Sequence, residues 1–172
     1  MRRLGKRIFV VEGEEPGLLG ASAHADGTIT VTPALLYVLE ERELVMCFSH
    51  ELAHISLDHL SRLHRLADEW EEIALRRCNA GESVKKVIAE AKVALVSAVH
   101  EQEFEADEVG ATQAIERFGI EANDCLSSFA KLRSVVGGDT GYVQFISTNT
   151  HPPLADRIER LAKVLLKKGY LK

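Results

Sequence analysis

The feature that most constrains this chain is Ser49-His50-Glu51-Leu52-Ala53-His54-Ile55, which contains the pattern H-E-x-x-H. On a helix four residues advance by about 400°, so His50 and His54 stand one above the other on neighbouring turns. Two imidazoles so placed can share one metal ion, and Glu51 projects to the side as a general base for water. The surrounding residues Leu44, Val45, Phe48, Leu52 and Ile55 repeat with helical period. Any fold must therefore keep one face of this helix against a core.

A hydrolytic zinc site takes three protein ligands and leaves one position open. A third histidine six residues after the second would supply the last ligand locally, but that position is Leu60, and Leu57 replaces the glycine such a turn requires. His59 and His64, five and ten residues beyond His54, are rotated away from the site on a continuous helix. They are expected to be surface or internally satisfied histidines. Cys47, one turn before His50, is expected as a small buried residue rather than a ligand.

The acidic run His100-Glu101-Gln102-Glu103-Phe104-Glu105-Ala106-Asp107-Glu108 is the other source of ligands. Such a run is ordinarily a solvated helix face. Periodicity does not choose among Glu101, Glu103 and Glu105. It does put Glu103 and Asp107 on one face at i, i+4, so a ligand at Glu103 would bring Asp107 near enough to accept a hydrogen bond from a ligand histidine.

The chain has 172 residues, enough for one domain with a sizeable core. Arg7 to Glu12 reads as a short buried strand, ended by the turn at Glu14-Glu15-Pro16-Gly17. Asp26-Gly27 is a two-residue turn signal between small residues 19–24 and the β-branched run Thr28 to Thr32, which predicts a hairpin. Thr32-Pro33 reads as N-cap and first residue of a helix carrying Leu35, Leu36 and Leu39. A second helix is expected from about Arg42 to about Leu60. A polar one follows from Ser61 to Arg77, with Leu63, Leu66, Trp70, Ile73 and Leu75 as burial candidates. Glu82 to Phe118 reads as one long helix whose stripe of Val84, Val87, Ile88, Ala91, Leu95 and Ala98 faces the core. Further helices are expected from Ala122 to Val136 and from His151-Pro152-Pro153 onward, and between them lies the stretch Gly137 to Asn149, whose glycines permit motion. The fold class is α+β, mostly helical, with a small N-terminal antiparallel sheet.

Composition excludes several roles. A net charge of −5, with its basic clusters confined to the ends, gives no stripe for nucleic acid. Three widely spaced cysteines, Cys47, Cys78 and Cys125, argue against a disulfide framework or a cysteine-zinc knuckle. The apolar run Ile8 to Val11 is too short for a signal peptide, and Val93 to Val99 is too short to span a bilayer. A soluble, cytoplasmic setting is expected.

His50-Glu51-x-x-His54, then Glu103-Phe104-Glu105-Ala106-Asp107, then Thr150-His151-Pro152-Pro153 with Arg157, together resemble the M48 family of zinc metallopeptidases, which are gluzincins. The resemblance runs from about Leu19 to Leu161. It implies a zincin-like domain with one zinc ion on His50, His54 and Glu103, Glu51 as general base and Asp107 behind the ligands. It also implies His151 near the catalytic centre as a helper of the oxyanion, and Arg157 as a structural anchor. The family's extended substrate-binding edge falls on Gly20, Ala21, Ser22 and Ala23, without the asparagine usual there. Membrane-bound relatives place a span between the two motifs, where this chain has the charged stretch Asp68 to Glu90. The implied activity is an endopeptidase acting on peptides or unfolded proteins. The alternative is a zinc-containing binding or regulatory module with little turnover.

Overall fold

The computed structural model describes residues 7–10, 19–135 and 151–172. The expected turn at residues 14–17 and the stretch from Gly137 to Asn149 lie outside the described residues, as do Val11, Glu12 and Val136.

Three strands form a small mixed sheet, β1 (Arg7–Val10), β2 (Ala21–Ala23) and β3 (Thr28–Val31), in the order β1-β3-β2. The expected hairpin is β2 against β3, antiparallel, with Ser22 opposite Thr30. Its turn works as the sequence suggests. Gly27 adopts φ 82°, and Asp26 Oδ1 accepts a hydrogen bond from the Thr28 amide at 2.9 Å. β1 adds a parallel strand on the far side of β3. Among the described residues, the outer edge of β2 is therefore left unpaired. Ile29 and Val31 are both buried, and Val31 joins Leu19, Leu35 and Leu39 in a small apolar cluster.

Thr32 caps helix α1 (Pro33–Val38), its Oγ1 accepting from the amides of Leu35 and Gly20. One side chain thus starts the helix and ties it to the strand edge. Helix α2 (Glu41–Ser56) starts with the Glu40 amide donating to Glu43 Oε2 at 2.8 Å. Glu43 also receives Lys131 and Ser127 from helix α5 (Ala122–Val135), which anchors α2 at its base.

The deeply buried face of α2 is Met46, Ser49, His50 and Ala53, whereas the apolar stripe read from the sequence is only half-buried. The reason is that α2 lies in the middle of the fold, touching the sheet and helices α3, α4 and α5. Its tightest contact is with the long helix α4 (Val84–Phe118), through small residues on both sides. Gly110 marks the closest approach: a Cβ there would lie 2.8 Å from both the Cα and the backbone N of His50. Replacing Gly110 by Ala must push the two helices apart at the motif. An unfolding titration should show a loss of about 1–3 kcal/mol; unchanged stability would contradict this packing.

α2 ends at Ser56, earlier than expected, because Asp58 takes the left-handed conformation (φ 55°). Aspartate tolerates that region better than most residues. The chain then turns into helix α3 (His59–Asn79). α3 and the N-terminal half of α4 form an antiparallel hairpin, closed near Gly81 and clamped by Arg77 on Glu82 and Glu90. The expectation that Val84 and Ile88 face the core fails. They are exposed, as are Leu75 and Val93, and of that stripe Val87 alone is fully buried. Two helices hide only the faces they share, and the outward sides of this hairpin stay in solvent. Gly119 (φ 67°) ends α4.

The main core lies between α2, α4, α5 and helix α6 (Leu154–Lys167), with Met46, Ala114, Phe129, Leu161 and Leu165 at its centre. Among the described residues no helix is long and apolar enough to cross a membrane.

Candidate metal centre

The close crossing of α2 and α4 puts the two sequence motifs face to face. Nε2 of His50 and Nε2 of His54 lie 3.0 Å apart. The Glu103 carboxylate is 3.6 Å from the first and 3.4 Å from the second. A tetrahedral ion with ligand bonds of about 2.0 Å needs donors roughly 3.3 Å apart. The donor atoms of these three residues all fall within 4.8 Å of one another, so the set fits a zinc ion. A second observation agrees. Glu103 Oε2 is fully buried without an aligned hydrogen bond, although Arg157 Nη1 lies 3.0 Å away. A buried carboxylate oxygen in that position is open to a cation.

Burial settles which acid faces the site. The side chain of Glu103 is 4% exposed, against 64% for Glu101 and 43% for Glu105. Glu101 pairs outward with Arg160, and Glu105 pairs with Arg62. The i, i+4 relation holds as expected: Asp107 Oδ1 is 2.9 Å from His50 Nδ1. A carboxylate on Nδ1 keeps the proton there and would leave the Nε2 lone pair free for a cation.

Arg157, at the start of α6, ties the acids together. Its Nε and Nη2 donate to the two oxygens of Asp107 at 2.8 and 2.6 Å, while Nη1 reaches Glu103. Its guanidinium also stacks 4.9 Å over the Phe129 ring. Burial by itself would push the carboxyls of Asp107 and Glu103 up. The Arg157 charge, with the neighbouring histidines, more than reverses this and holds both well below the usual carboxylate range. His50 shows the complementary effect: burial disfavours its charged form, but Asp107 overrides this and raises its affinity for a proton. The same carboxylate strengthens Nε2 as a ligand.

His151, in the turn before α6, places Nδ1 3.1 Å from Glu103 Oε1 and remains 38% exposed. Glu51 is buried beside the ligand helix face and lines a cleft of about 380 Å³ together with His50, His54, Glu103 and His151. Gly20, Ala21, Ser22 and Ala23 form one rim of this cleft, and Leu35, Phe129 and Leu132 contribute apolar wall. Cys47 also lines it. Burial first, then the nearby Glu51, pushes its thiol up to about 12, and Cys47 is not part of the His50, His54 and Glu103 donor group.

Two residues at the centre were not picked out by sequence reasoning. His59, expected as a surface or internally satisfied histidine, is the satisfied kind, 2% exposed. What was not foreseen is its contact with the motif: its Nδ1 lies 2.9 Å from Nδ1 of His54. The break at Asp58 redirects it, and no glycine or proline announces that break. Gly110 was missed as well. Its signal was available, since a glycine inside a helical pattern often marks a close approach.

Sequence comparison agrees with this geometry. The family described as peptidase family M48 matches residues 9–165. No curated protein and no solved structure matches the chain. The family match runs from the sheet through α2 and α4 into α6, and thus takes in every element that converges on the cleft rather than the two-histidine helix alone. The chain belongs to peptidase family M48.

Proposed function

We propose that the chain is a zinc-dependent endopeptidase acting on extended peptide or unfolded-protein substrates. The observation that carries this is the convergence of His50, His54 and Glu103 within 4.8 Å at the floor of a cleft that Glu51 also lines. Zinc held by these three residues would supply Lewis acidity, lowering the pKa of water and polarising the scissile carbonyl.

Every other task falls to the chain's own groups. Glu51 takes the proton of the attacking water and passes it to the leaving amine. His151, accessible at the cleft, donates to the carbonyl oxygen as negative charge develops on it. Asp107 and Arg157 hold the ligands in place from behind. A substrate in extended conformation adds a strand to the unpaired edge of β2, where Gly20 to Ala23 present backbone groups with little side-chain bulk.

The purified protein should bind about one zinc per chain and cleave a denatured protein, with activity abolished by a chelator. Glu103→Ala should lose zinc at a concentration where Glu101→Ala retains it. Release of metal from the Glu101 variant instead would overturn the ligand choice. Stoichiometric zinc without cleavage of any peptide would favour a binding module over an enzyme.

A further inference from the structure

We propose that His59 is a positioning residue for His54: it accepts a hydrogen bond from Nδ1–H of His54 and so fixes the tautomer whose Nε2 lone pair faces the metal. This rests on the reading that His50, His54 and Glu103 are the zinc ligands.

His59 sits at the first turn of α3, behind His54, with the two rings edge to face at 4.8 Å. Its two nitrogens face different partners. Nε2 is 3.2 Å from Glu105 Oε2, and Nδ1 is 2.9 Å from Nδ1 of His54. An ionised carboxylate only accepts hydrogen bonds, so Nε2 of His59 carries the proton. A neutral imidazole protonated at Nε2 has its lone pair at Nδ1. Nδ1 of His54 must then be the donor across the 2.9 Å contact, and Nε2 of His54 is left with its lone pair directed at Glu103 and Nε2 of His50.

The surroundings hold this arrangement. Arg62 Nη1 donates to Glu105 Oε2 at 2.8 Å, fixing the carboxylate. The buried amide of Gln102 donates to the carbonyl of His59 at 3.2 Å, fixing the backbone. The left-handed turn at Asp58 brings His59 back against the preceding helix. The two ligand histidines are thus oriented in different ways. His50 rests directly on the carboxylate of Asp107, and His54 reaches the carboxylate of Glu105 through the imidazole of His59.

Long-range proton–nitrogen correlation spectra of the zinc-loaded wild-type protein report histidine tautomers directly. They should show His59 protonated at Nε2 and bare at Nδ1; a proton on Nδ1 of His59 would overturn the proposal. Zinc affinity by chelator competition gives a second readout. His59→Leu should bind zinc about 10–100-fold more weakly. His59→Asn, whose Oδ1 takes the place of Nδ1 as acceptor, should restore most of that affinity. His59→Gln, which reaches toward Glu105 and offers His54 nothing, should not. Equal affinity of the Leu variant and wild type, or no gain from Asn over Leu, would overturn the role of His59 while leaving the ligand set intact. A wild-type chain that takes up no zinc would overturn the ligand set itself.

Discussion

Glu51→Gln should lower kcat/KM for peptide cleavage by about 10²–10⁴ while zinc content stays at that of wild type. Glutamine keeps the shape of the side chain and loses the ability to accept a proton. Glu51 is not among the three metal-donor residues, so the metal should remain. It is buried on the same helix turn as His50, with its side chain lining the cleft rather than the core. The variant should therefore fold as the wild type does, which circular dichroism would verify. Zinc retention with loss of cleavage separates a base from a ligand. Cleavage that survived the change would remove Glu51 from the chemistry. Loss of zinc together with activity would make it part of the metal site instead.

Arg157→Leu should have the largest effect on stability. The guanidinium is buried, with Asp107 on two of its nitrogens and Glu103 on the third. Removing it leaves two carboxylates in a desolvated place with no fixed counter-charge, which costs about 3–5 kcal/mol. That is a large part of the stability of an ordinary domain, about 5–15 kcal/mol. Urea unfolding of the metal-free variant is the test, and a loss below about 1 kcal/mol would contradict the anchoring role.

Acid pH supplies an independent check. Both carboxyls titrate below their unfolded values in the native chain. The stability they contribute is therefore complete above the unfolded pKa of about 4 and is lost as pH falls toward the lower folded values. Arg157 is the largest of the causes that lower each, so its loss should weaken that depression. The variant should then lose less stability than the wild type on acidification, and the gap between the two proteins should narrow as pH falls below about 4. The pH dependence of the difference between the two proteins thus has a definite sign.

Where local chemistry decides the outcome, the sequence was readable. Asp26-Gly27 forms its turn, Thr32 caps the helix that Pro33 begins, and Glu103 and Asp107 share a face. The two-motif centre, with its arginine and late histidine, was legible through family resemblance, and residues 9–165 carry that family's pattern. Long-range packing accounts for the rest. Glu101, Glu103 and Glu105 are equivalent to any periodicity argument, and what separates them is that α2 lies against the 103/107/110 face of α4. The apolar stripe of α2 marks a helix, as read, but its deepest face is another one, for a related reason. A central helix packs on several sides, and its closest contact runs through serine, alanine and glycine rather than through its large apolar residues. The outer half of α4 carries apolar residues with no described partner, so composition overstated the core. His59 depended on a single left-handed aspartate that leaves no clear trace in the sequence.

The central claim is that one zinc ion joins the two helices at their crossing. A crystal of the zinc-loaded protein, measured on both sides of the zinc absorption edge, tests it most directly. The expected result is a single anomalous peak per chain, in bonding contact with Nε2 of His50, Nε2 of His54 and the carboxylate of Glu103. A peak held by other residues, or none at these three in protein that carries stoichiometric zinc, would contradict the account.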